Sequence, residues 1–94
     1  MMEVAKEIRS FIIDNFLFGD ADVLLGENDS FLQKGLIDST GILEIVSYIE
    51  EKFGIVVEDD DLFPENLDSI SAIAKFIMRK QDVKILKYVE KINR

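Results

Sequence analysis

The chain contains no cysteine and no histidine among its 94 residues. Without cysteine there is no disulfide, no thiolate nucleophile and no zinc–thiolate site. Without histidine the commonest general base and the commonest transition-metal ligand are missing, and no Ser-His-Asp arrangement can be assembled. There is no glycine-rich phosphate loop. Long apolar runs are absent as well. The N-terminal stretch lacks the continuous apolar segment of a signal peptide, and nothing approaches the about 20 apolar residues of a membrane span. A cytoplasmic protein is therefore expected.

Cationic residues are few: 11 Lys+Arg stand against 19 Asp+Glu, for a net charge of −8. The imbalance is uneven. Residues 1–78 carry 5 basic and 17 acidic side chains, whereas residues 79–94 carry 6 and 2. The acidic body should repel nucleic-acid phosphates and attract basic protein surfaces. The basic end could touch nucleic acid or anionic lipid; its preferred reading is the solvated face of a terminal helix. With 48% hydrophobic and 32% charged residues, the chain has the make-up of one small globular domain rather than of a disordered segment.

The chain is organised around Gly35 to Gly54, GLIDSTGILEIVSYIEEKFG. Asp38 is suited to cap a helix, because its carboxylate can accept from free N–H groups of the first turn. Ile42, Ile45, Val46, Ile49 and Phe53 then follow the spacing of one buried helical face. Gly54 is placed to end it. The spacing predicts a helix over 39–53, with Thr40, Leu43, Glu44, Ser47, Glu50 and Glu51 outward. Ser39 sits at the mouth of that helix, outside the apolar stripe. It cannot be a nucleophile by its own means, since an alcohol needs an adjacent base and no histidine exists to provide one. A displayed serine without catalytic company suits a residue that another enzyme modifies.

The flanks read as further helices. Val4, Ile8, Phe11 and Ile12 predict a first helix over 3–18, ended by Gly19. The first loop is long. Val23, Leu24 and Leu25 are expected to tuck an apolar patch beneath it, and Asp29 or Ser30 to cap a short turn through Phe31 and Leu32. Asp20, Asp22 and Gly26 do not have calcium-loop spacing. Residues 54–58 read as an extended segment feeding Ile55 and Val57 into the core. Glu58 to Asp61 more often solvate a loop and start a helix than hold a metal, and Pro64 suits a first helical turn. One short helix near 59–67 is expected. Ser69 should cap a last core helix over 69–80, buried through Ile70, Ile73, Ala74 and Ile77. Gln81-Asp82 is a break or a continuation. Beyond it, Ile85, Val89 and Ile92 recur at helical spacing.

The central stretch resembles the acyl and peptidyl carrier proteins, in which an Asp-Ser pair opens the second helix of a small bundle. Gly35, Leu36, Asp38, Ser39, Glu44, Ile45, Val46, Glu50, Glu51, Phe53, Gly54 and Ile55 carry the match. LFPENLDSISAIAKFI, Leu62 to Ile77, is similar to the family's last third. The resemblance spans roughly residues 1–80; Thr40 departs from it, where many members have leucine. It implies an all-α fold, a small four-helix bundle of three main helices and one short helix, with a helical C-terminal tail. The expected division is a carrier domain over 1–80 and a basic helical extension over 81–94.

The resemblance also implies that Ser39 is esterified by 4′-phosphopantetheine, installed from coenzyme A by a phosphopantetheinyl transferase with magnesium. Asp38 would cap the helix and assist that enzyme's metal. Thr40, Leu43, Glu44, Ser47, Glu50 and Glu51 would form the partner face. Partners would be the transferase, an acyl- or aminoacyl-activating ligase and downstream acyl-processing enzymes, met by a monomer without a membrane span. Such encounters should be weak and salt-sensitive. Three readings remain open: a discrete acyl carrier, an aminoacyl or D-alanyl-type carrier loaded by an adenylating ligase, and an unmodified acidic helical adaptor. None of them makes the chain an enzyme.

Overall fold

The computed structural model describes residues 2–20 and 24–92. Four α-helices follow one another: α1 (Met2–Phe16), α2 (Ser39–Phe53), α3 (Pro64–Leu67) and α4 (Ile70–Ile92), with a 3₁₀ turn at Asp59–Asp61. No strand occurs among the described residues. The molecule is an all-α bundle, as the periodicities require.

One core joins the helices. Ile8 and Ile12 of α1, Ile45 and Ile49 of α2, and Ile70, Ile73 and Ile77 of α4 are fully buried. Leu17, Leu25, Phe31, Ile37, Ile55, Leu67 and Phe76 join it, and Val57 packs against its edge. The rings of Phe11 and Tyr48 stack with centroids 3.9 Å apart, tying α1 to α2. Burial, then the charge of Glu7, raises the Tyr48 pKa above its ordinary value.

α1 ends two residues before the expected Phe18. The N–H groups of Leu17 and Gly19 both donate to the Ile13 carbonyl, at 3.1 and 2.9 Å, and Phe18 turns left-handed with φ 54°. A Cβ in that conformation costs about 1–2 kcal/mol, and the Phe18 side chain is 97% exposed, so no packing offsets it. Phe18→Gly should therefore raise the melting temperature by a few degrees, even after the about 0.5–1 kcal/mol entropic cost of glycine. A thermal melt showing a decrease would contradict the strain.

The first loop divides its leucines. Leu25 is buried, but Leu24 is 89% exposed, against the expected shared patch. Adjacent side chains of an extended segment point in opposite directions, so only one can enter. Val23 and Asp22 lie outside the described residues. Arg9 Nη1 donates to the Leu25 carbonyl at 2.7 Å and holds the segment to α1.

The expected single short helix is two pieces. Phe63 precedes Pro64, which drives it out of helical geometry into an extended one (φ −117°, ψ 148°). The 3₁₀ turn before it is closed by a reciprocal capping box of Glu58 and Asp61. Asp61 also meets Lys80 at 2.6 Å. The Lys80 partner chiefly holds the Asp61 pKa below 3.8. A depressed carboxyl stabilises the fold above its unfolded pKa, and that contribution disappears as pH falls through the folded value. Asp61→Asn should therefore flatten the decline of the urea midpoint below about pH 4.

α4 runs unbroken through Gln81-Asp82 to Ile92. Its N-terminal part packs on α1 and α3. From Asp82 onward every described side chain is exposed, and the molecule measures 51 × 25 × 20 Å.

Candidate functional site

Ser39 is the first residue of α2. Asp38 before it is extended (φ −95°, ψ −177°), and its carboxylate accepts from the Gly41 N–H at 2.8 Å. The cap inferred from the sequence thus forms. Gly54 ends the helix in the left-handed conformation, φ 65°. Ser39 is exposed, as are Thr40, Leu43, Glu44, Ser47 and Glu51. These residues share the outward side of α2.

Glu50 departs from that face. It is half-buried, and its carboxylate accepts from the Val57 N–H at 3.0 Å. The extended segment 54–58 passes beside the end of α2 and brings an unpaired donor to Glu50. One of its carboxylate oxygens thus holds this loop in place.

The placement of the helix mouth depends on a close approach that sequence reading missed. Gly41 is buried, and a Cβ built there would lie 2.5 Å from Ile37 Cγ2 and 2.9 Å from the Phe16 ring. The C-terminal end of α1 therefore meets the first turn of α2. A glycine three residues after the cap was the available signal.

A second unread contact fixes the loop opposite. The carboxylate of Asp68 accepts from the Ser30 hydroxyl and from the Leu32 N–H, the latter at 3.0 Å. Its carbonyl accepts from the Phe31 N–H at 3.0 Å. Ser30 in turn caps the 31–35 turn through the Gln33 N–H, while Asp29 closes on the Gly26 N–H. Phe31 is fully buried below this knot. Asp68→Ala removes the carboxylate acceptor of the Ser30 hydroxyl and the Leu32 N–H, while the carbonyl that holds the Phe31 N–H remains, and should lower the unfolding free energy by about 1–3 kcal/mol. The check is a urea titration in which the midpoint falls and the slope is unchanged.

Between the loop, α2 and α3 lies a cleft of about 210 Å³ lined by Leu32, Ile42, Leu43, Leu62, Phe63 and Leu67, with Ser39, Pro64 and Asp68 also on its walls. This is below the about 300–1,000 Å³ usual for drug-sized ligands. Leu32, Leu62 and Phe63 remain substantially exposed at its rim. The exposed serine thus stands beside a small apolar recess. No group of carboxylates among the described residues is arranged to hold a metal. The described helices include none long and apolar enough to cross a membrane.

A family model described as the phosphopantetheine attachment site matches residues 17–77. The chain belongs to this family. Its cofactor is phosphopantetheine, and the protein is a carrier of the acyl-carrier type. The acyl carrier protein of Chlamydia trachomatis serovar D is 26% identical over 81 residues, covering 86% of this chain and all of that protein. The acyl carrier protein of Chlamydia muridarum matches to the same extent. Among solved structures, a chain from a crystal structure of an FAD-dependent dehydrogenase superposes with a TM-score of 0.63 at 26% identity. That alignment spans 73% of this chain and 96% of the other.

Proposed function

We propose that Ser39 carries the 4′-phosphopantetheine arm and that the protein is a discrete acyl carrier, passing thioester-bound acyl groups between biosynthetic enzymes. The observation that carries this reading is the position of Ser39, exposed and first in a helix capped by Asp38. The Ser39 oxygen would bond to the phosphorus of the pantetheine phosphate in coenzyme A. Adenosine bisphosphate would leave, and the hydroxyl proton would pass to the transferase. The resulting phosphodiester would lie where unsatisfied N–H groups and the helix dipole favour an anion. The arm would end in a thiol, the sulfur nucleophile that a chain without cysteine cannot supply itself.

The apolar cleft beside Ser39 supports an acyl cargo, and its size favours a short one. Leu43 and Glu44, with Thr40, Ser47 and Glu51, are the proposed partner face, and Asp38 the residue nearest the transferase's metal. Basic enzyme surfaces should bind this face weakly and lose affinity as salt is raised. The carrier acts as a cytoplasmic monomer in this reading and catalyses no step.

An aminoacyl-type carrier loaded by an adenylating ligase is the second reading. The small cleft suits a short cargo of that kind, and Thr40 in place of the leucine of many members favours a carrier paired with such a ligase. The primary test is intact mass after incubation with coenzyme A, magnesium and a broad-specificity phosphopantetheinyl transferase. A gain of one phosphopantetheine is expected. No gain by a folded protein would leave the unmodified adaptor.

A further inference from the structure

α4 outruns the body it belongs to. Lys80 pairs with Asp61, Lys84 Nζ donates to the Gly54 carbonyl at 3.1 Å, and Lys87 still borders the groove against residues 54–58; among the described residues none beyond Lys84 has a hydrogen bond or ion pair to the body. Residues 82–92 extend the helix by about 16 Å. Ile85, Val89 and Ile92 recur on one side of it, flanked by Leu86 and Tyr88, and all five are between 44% and 65% exposed. Lys84, Lys87 and Lys91 occupy the adjoining side and outnumber the two carboxylates of the segment, Asp82 and Glu90. A helix kept only for solvent gains nothing from isoleucine, valine and tyrosine, which lower helix propensity and leave apolar surface in water.

We propose that residues 82–92 lie on an anionic phospholipid surface. The side chains of Ile85, Leu86, Tyr88, Val89 and Ile92 enter the boundary between headgroups and acyl chains, and Lys87 and Lys91 meet the lipid phosphates. A basic helix with one apolar side and no spanning length is the pattern that binds in a bilayer interface. Nucleic acid would engage the lysines and leave the apolar stripe in water. A second copy would bring two basic segments together over a seam of about three turns, with an area short of the about 800 Å² per partner of a stable interface. The acidic body does not cancel the attraction. The Debye length is about 8 Å at physiological ionic strength, and the helix beyond Lys84 is longer, at about 12 Å. The surface would hold the carrier beside membrane-associated enzymes, whatever its cargo.

The test is co-sedimentation of the full chain with vesicles of mixed phosphatidylglycerol and phosphatidylcholine, and with phosphatidylcholine alone. At least tenfold stronger partition into the anionic vesicles is expected. Ile85→Asp with Val89→Asp should remove that preference, and Lys87→Glu with Lys91→Glu should weaken it several-fold. These side chains leave the core untouched, so circular dichroism and arm loading should match the unsubstituted chain. Arm loading is read separately, so its failure would count against the carrier reading and leave the lipid result standing. The proposal is overturned if the anionic vesicles do not bind, if neutral vesicles bind equally, or if the aspartate pair has no effect. A concentration-dependent dimer abolished by Ile85→Asp, with vesicles unbound, would assign the stripe to a second copy and overturn it too.

Discussion

Ser39→Ala is expected to keep its unmodified mass after an incubation that adds one phosphopantetheine to the unsubstituted chain. The effect should be all or none, because the bond to phosphorus forms at the hydroxyl oxygen and alanine has no substitute. The exposed side chain supports nothing in the core, and the Asp38–Gly41 cap does not involve it. Circular dichroism and the urea midpoint should therefore be unchanged. That contrast makes the result interpretable: a folded, unloaded variant points to the attachment residue, whereas an unfolded one would not. Modification of the alanine variant would move the attachment to another hydroxyl. The neighbouring candidates are Thr40 and Ser47, both exposed on α2.

Gly41→Ala should be the most damaging single-methyl addition near the site. In an ordinary helix interior this change stabilises by about 0.5–1 kcal/mol. Here the new Cβ would stand 2.5 Å from Ile37 Cγ2. Ile37 is buried, 4% exposed, and its branched side chain is stiff at χ1. The Phe16 ring closes the other side at 2.9 Å. Overpacking of this kind costs about 1–3 kcal/mol, so the clash should outweigh the propensity gain. Because Ile37 directly precedes Asp38 and Ser39, arm loading should slow as well. A double-mutant cycle with Ile37→Ala isolates the cause. That partner removes Cγ2, so the pair should be less destabilised than the sum of the singles by about 1 kcal/mol or more. Strict additivity would show that the clash is not with Ile37.

The second helix was legible almost residue by residue. Its cap, its buried face and its terminating glycine are all local signals, and 39–53 is where the helix lies. Ser39 stood out for the same reason, as the hydroxyl at the start of a capped amphipathic segment. The first helix was legible except at its end, where the chain turns left-handed at Phe18 without the glycine that normally marks such a turn. The short helix divided at Phe63-Pro64, a rule of local sterics that the apolar and acidic pattern hid.

Other residues had roles that no spacing within one segment could disclose. Glu50 looked outward on a helical wheel, yet the segment seven residues later brings the Val57 N–H to it. Asp68 has no role legible in its own segment, where Ser69 is the cap; it holds the loop 36 residues earlier at Leu32. The cleft is likewise assembled from three separate stretches.

By itself, then, the sequence determined the helical class, the acidic body, the capped serine and the absence of any thiol or imidazole to do chemistry in place. Those follow from periodicity, composition and capping, which act within a turn or two of chain. Tertiary structure alone decided that Gly41 must be bare, that Asp68 ties loop to helix, and that a small apolar recess opens beside Ser39. It also decided that the last turns of α4 find nothing to pack against. Each of these depends on which surfaces meet across the core, and close packing sets that from all the helices together.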